Sequence, residues 1–179
     1  MKQIILALSL LFAAGTALAD EQKILVEIRN ARVTADGILT GGQPTLAQLS
    51  ELKKAGYTTI INLRPDAEVK RAFANTNDAT LHFDESDAAK KLGITYISLP
   101  IGSTEDLTLQ NAYALDQILK NIKGGVVLHC GSGNRVGALM ALRAYHVQKK
   151  SSEVALQVGL AAGLTKLEPV VAELLSQEQ

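Results

Sequence analysis

A chain of 179 residues, 47% of them hydrophobic, is long enough for one domain with a sizeable core. Its 18 basic and 18 acidic residues balance, so no basic surplus favours nucleic acid or an anionic membrane surface. With one cysteine in the chain an internal disulfide is excluded, and Cys130 is either an inert buried group or a reactive thiol.

In chain order, residues 1–19 carry Lys2, an apolar run over 4–14 broken only by Ser9, and the triplet Ala17-Leu18-Ala19 before Asp20. That pattern predicts a secretory signal peptide, and the apolar run is shorter than the ~20 residues of a spanning helix. Cleavage removes Lys2 alone and leaves 17 basic against 18 acidic residues, net −1. The expectation is a single mature domain over 20–179, periplasmic or secreted, with no stable membrane association and no nucleic-acid partner. Residues 20–37 lead through the turn pair Asp36-Gly37 into a short strand at 38–40, as an edge strand or hairpin. Thr45 and Gln48 have the spacing of a capping box, and Leu46, Leu49, Leu52 and Ala55 share one face of a helix that Gly56 ends. The uncharged run 58–63 predicts a strand buried on both faces. Residues 64–80 (RPDAEVKRAFANTNDAT) read as the least regular part, either a substrate-facing loop or a solvated one. A short helix over 83–92 ends at Gly93, and a strand follows at 96–99. Residues 100–108 lead to a helix with Leu115, Ile118, Leu119 and Ile122 in register. The apolar helix 133–148 is central, Ser152 and Glu153 start another, and Thr165 with Glu168 has capping-box spacing for a last helix containing Pro169 early on. Strands alternating with helices imply an α/β fold, with a central mainly parallel sheet of about four to five strands flanked by helices.

Residues 124–137 (GGVVLHCGSGNRVG) read as strand, tight loop and helix. Glycines at 131 and 133 let successive backbone N–H groups point into one hollow, and the helix start adds its own N–H groups and positive dipole end. Arg135 supplies a planar fork for two oxygens of an oxyanion. Such a field favours Cys130 as a thiolate nucleophile. His129, on the strand, points away from the Cys130 side chain. Arg64, at a strand end, is either a second anion contact or one half of a surface salt bridge. His82 and His146 lack ligand spacing, so neither a metal nor a cofactor is expected.

The His-Cys, glycine turn and Arg resemble the loop of the cysteine-dependent phosphatases. The run ILTGGQPTLAQLSELKKAGYTTIINLRPDAE from residue 38 resembles the opening of dual-specificity phosphatases, and VVLHCGSGNRVGALMALRAY over 126–145 resembles their core strand, loop and helix. GQP at 42–44 and INLRPD at 61–66 narrow the resemblance to the bacterial beta-lactamase-hydrolase-like phosphatases, over roughly residues 38–164. The resemblance implies a cysteine-phosphatase-like fold and hydrolysis of phosphate monoesters through a phosphocysteine, on a phosphorylated small molecule or phosphoprotein. It places the nucleophile at Cys130 and oxyanion binding at Gly131, Ser132, Gly133, Asn134 and Arg135, with His129 orienting the loop. The general acid falls to Asp106, with Glu105 in reserve. Ser103 to Asp106 is also close to capping-box spacing, so Asp106 has a purely structural reading. The chain departs from the family pattern in having four residues between Cys130 and Arg135, not five, and Val136 where a hydroxyl residue stands. A loop of that length resembles rhodanese-type sulfurtransferases, which leaves a persulfide carrier and a non-catalytic oxyanion or phosphopeptide module as alternatives.

Overall fold

The computed structural model describes residues 26–74 and 77–177; the expected signal peptide and residues 20–25 lie outside them. Five strands form one sheet in the order β1-β2-β5-β3-β4. β1 (Arg32–Val33) pairs antiparallel with β2 (Leu39–Gly41), completing the expected hairpin. β2 with β5 (Gly125–His129), β5 with β3 (Tyr57–Asn62), and β3 with β4 (Thr95–Ser98) are all parallel. In register, Gly41 and Asn62 flank His129, so the carboxyl ends of three strands converge just before Cys130.

All five residues of β5 are buried, and their alternation sorts two cores. Val126, Leu128 and Cys130 join the cluster under α4 (Leu109–Asn121), α5 (Asn134–His146), α6 (Ser152–Ala161) and α7 (Glu168–Ser176). Val127 joins the other, under α1 (Leu46–Lys54) and α3 (Glu85–Lys91). His129 shares that second face. α5 is buried almost all round, as its composition predicts. None of the described helices is long and apolar enough to cross a membrane.

The capping box at Thr45 forms, with Gln48 N–H donating to Oγ1 and Thr45 N–H donating to Gln48 Oε1 at 2.8 Å. Three expectations need correction. Leu46 is 48% exposed, because only Leu49 and Leu52 of α1 face the core. The stretch read as irregular contains α2 (Asp66–Ala74). The Pro65 carbonyl accepts from the N–H groups of Glu68 and Val69, while Asp66 and Glu68 in the first turn and Arg71 in the last suit the dipole. The Thr165–Glu168 box does not form: α7 starts after Leu167 without a side-chain cap, and Thr165 is engaged by Asn134 instead.

Candidate active site

The loop after β5 is held from three sides. Cys130 N–H donates to the Gly41 carbonyl at 3.2 Å. Gly133 turns the chain with φ of 91°, a conformation that favours glycine, and its N–H donates to Cys130 Sγ at 3.2 Å. α5 begins at once, so its first N–H groups have no partner within the helix and crown the loop. Outside, residues 28–30 form a strap: Gly42 N–H donates to the Arg29 carbonyl at 2.7 Å, and Asn30 Nδ2 to the Ser132 carbonyl at 3.0 Å. A β-carbon on Gly42 would come within 2.9 Å of the Gly131 carbonyl, so this contact requires the glycine of the GQP motif.

Cys130 is 1% exposed, its sulfur held between the apolar core and the Gly133 N–H. Arg135 lies across the loop. Its Nη1 and Nη2 donate to Glu68 Oε2 and Oε1 at 2.6 and 2.8 Å, and Nη1 also donates to the Ile101 carbonyl at 2.7 Å. The hydrogen bond to Glu68 raises the guanidinium above its ordinary range; burial opposes the shift, and a charge interaction and hydrogen bond with Cys130 add to it. Glu68 shares its carboxylate with Arg64, whose Nε donates to Oε1 at 2.9 Å. Burial alone would raise the Glu68 carboxyl, but hydrogen bonds and charge from Arg135 and Arg64 hold it below the ordinary value.

Arg64 is therefore buried in the site, reaching it through Glu68, and Gln43 Oε1 accepts from its Nη1 at 2.9 Å. From Gln43 a polar network continues beneath the loop. Gln43 Nε2 and Asn62 Nδ2 donate to the two Glu85 oxygens at 2.9 and 3.0 Å. Glu85 Oε1 lies within ion-pair distance of His129 Nε2, at 3.1 Å, and that buried nitrogen makes no hydrogen bond. His129 Nδ1 is 3.3 Å from the Cys130 carbonyl.

Asp106 sits beside the site in a 3-10 turn (Thr104–Asp106), one segment on from Ile101. Its Oδ2 accepts from the N–H groups of Gly102 and Ser103 at 2.7 and 3.1 Å, and the capping box is formed. The carboxylate thus has the structural job that its spacing allowed. Glu105 is exposed. The Asn134 side chain leaves the loop, its Oδ1 accepting from Thr165 N–H, Thr165 Oγ1 and Leu167 N–H at 2.9, 3.2 and 3.3 Å. Only its backbone N–H belongs to the cradle. Sequence reasoning did not single out Glu68, Glu85 or Asn62; for Glu68 the signal was its position four residues after Arg64, once 66–74 is read as helix. Among the described residues no three His, Cys, Asp or Glu side chains group as a metal site would need.

The profile of the beta-lactamase hydrolase-like protein, phosphatase-like domain, matches residues 30–146. Beta-lactamase hydrolase-like proteins of Xylella fastidiosa and Agrobacterium fabrum are 35% and 33% identical over 101 residues, 56% of this chain. The match covers 22% of those relatives' length. A candidate phosphatase (DUF442) of Shewanella putrefaciens CN-32 superposes with a TM-score of 0.55 at 25% identity, over 84% of this chain and 91% of that one. For a candidate phosphatase of Neisseria meningitidis Z2491 the TM-score is 0.61 at 20% identity, over 88% and 99%. Kinase associated phosphatase shares the fold at 0.57 and 16% identity, over 87% and 95%.

Proposed function

The chain belongs to the beta-lactamase hydrolase-like phosphatase-like domain family, and from that premise we propose that it is an exported cysteine-dependent phosphatase acting on phosphate monoesters through a phosphocysteine. The observation that carries the reading is the sulfur of Cys130 under the Gly133 N–H, with Arg135 clamped across the same loop. Export rests on the signal pattern of residues 1–19.

In this mechanism the phosphoryl group sits above the loop, its equatorial oxygens on the N–H groups that start α5 and on Arg135. Glu68 and the Ile101 carbonyl hold Nη1 and one edge of Nη2, leaving the edge that faces Cys130 for substrate. The Cys130 thiolate attacks phosphorus, the S–P bond forms as the P–O bond to the leaving group breaks, and the departing oxygen takes a proton. Water then attacks phosphorus, the S–P bond breaks, and phosphate leaves with the thiolate regenerated. Val136 offers no hydroxyl to that thiolate. The Gly133 N–H, donating to Sγ at 3.2 Å, supplies the stabilisation in its place. Glu68 is committed to the two arginines, so Asp106 is the carboxylic acid assigned as proton donor, and that role competes with its cap.

The test is p-nitrophenyl phosphate hydrolysis by wild type and Cys130→Ser, with intact-protein mass spectrometry after rapid acid quench. The reading expects turnover in wild type, a phosphoryl adduct on Cys130, and neither in the serine variant. Phosphate release that survives the substitution overturns the mechanism, and so does thiosulfate-to-cyanide sulfur transfer without phosphate release.

A further inference from the structure

On the sheet face opposite the Cys130 side chain lies a cleft of about 670 Å³ between α2, residues 81–86 and the ends of β3 and β4. We infer that this cleft is a second binding site, selective for a small organic cation of the alkylammonium class.

Three observations meet there. First, Glu85 lines the cleft yet is only 7% exposed, and its carboxylate is satisfied by the neutral amides of Gln43 and Asn62. Among the described residues no lysine or arginine pairs with it, and the one cationic group within ion-pair distance is the His129 imidazole, whose buried Nε2 lies 3.1 Å away and does not line the cleft. A buried carboxylate at an open cleft without a full cation beside it is an incomplete pair. Second, the cleft is negative: Asp66 and Asp84 join Glu85, against Lys70 alone. The Tyr96 phenol at its floor is pushed up to about 12, by burial first and then by the charges of Glu85, Asp66 and Asp84. Third, the chain has three phenylalanines and four tyrosines, and one of each, Phe83 and Tyr96, lines this cleft. Carboxylates beside aromatic faces are what recognise ammonium groups. A volume of this size takes a small organic molecule with room for its apolar part against Val69 and Leu81. The inference does not depend on the phosphatase reading, because binding needs no turnover.

The experiment is titration calorimetry of the purified protein with choline and with its uncharged isostere 3,3-dimethylbutan-1-ol, on wild type, Glu85→Gln and Phe83→Leu. Choline is expected to bind with a Kd of about 1 mM and the neutral isostere roughly tenfold more weakly or worse. Each substitution should weaken choline by roughly tenfold. Phe83→Leu keeps an apolar group at the cleft wall, so it decides the matter if Glu85→Gln disturbs the fold. Equal affinity for the two probes, no heat up to roughly 50 mM choline, or choline binding unchanged by Phe83→Leu overturns the inference.

Discussion

Replacing Glu68 with Gln tests the site most directly, because one carboxylate holds both arginines. Its side chain is 28% exposed, while Arg64 and Arg135 are 8% and 17% exposed. Gln keeps the shape but presents an N–H₂ to a guanidinium, so one of the two Arg135 contacts turns repulsive and both cations lose their counter-charge. Breaking a fully buried pair costs about 3–5 kcal/mol; partial exposure here reduces that to about 2–3 kcal/mol. Arg135 keeps the Ile101 carbonyl and Arg64 keeps Gln43, so both remain near but no longer aligned. Misplacement of that kind lowers kcat by about 10²-fold. Urea unfolding at neutral pH gives the stability loss, and p-nitrophenyl phosphate kinetics on the folded variant give the rate. Acid adds a sign. The folded chain keeps Glu68 ionised where the unfolded chain has begun to take up a proton, since its folded pKa is lowered. The difference between wild type and variant is therefore full above the unfolded carboxyl value and shrinks as pH falls through the folded one. A stability change within about 0.5 kcal/mol at neutral pH, or a gap that widens on acidification, would refute this account of the clamp.

Asp106→Asn separates proton donation from capping. If Asp106 donates, the rate on an alkyl phosphate falls by about 10²-fold or more while p-nitrophenyl phosphate, with its good leaving group, is nearly spared; equal small losses on both, with about 1 kcal/mol of stability gone, leave it as a cap alone. Gly137→Ala is expected to destabilise by about 2–3 kcal/mol in thermal or urea unfolding, because its β-carbon would run into Leu164 N and lie 2.6 Å from the Gly159 carbonyl, backbone that cannot step aside. The helix-propensity gain of about 1 kcal/mol offsets only part of such a clash. Asn134→Ala removes the acceptor of three hydrogen bonds from Thr165 and Leu167. It is expected to cost about 2 kcal/mol and to raise amide exchange at 165–167, with little change in KM because only the backbone of residue 134 faces the cradle.

The elements that follow period and punctuation were legible: β5 from its β-branched run, the glycine turn behind Cys130, the box at Thr45, and α5 buried almost all round. α2 was obscured because Pro65 and the Asn-containing end of the run read as loop signals and outweighed the helical spacing of Val69, Ala72 and Phe73 between them. That error also concealed Glu68, since its relation to Arg64 exists only once the segment is helical. The Thr165 box failed for another reason. Local spacing matched, but an acceptor on α5, far away in sequence, took the same donor. Glu85 shows the limit of one-dimensional reading, because nothing near it in the chain distinguishes a buried carboxylate from a helix-start acid.

The strap has a consequence for when the site comes into being. Asn30 and Ser132 are 102 residues apart, so the outer wall of the cradle is borrowed from the far end of the chain. Closure over such a span comes late in folding. A half-folded molecule thus carries Cys130 as an open thiol, and its burial to 1% exposure arrives only with assembly; alkylation followed through a refolding time course would show labelling cease when the strap locks down.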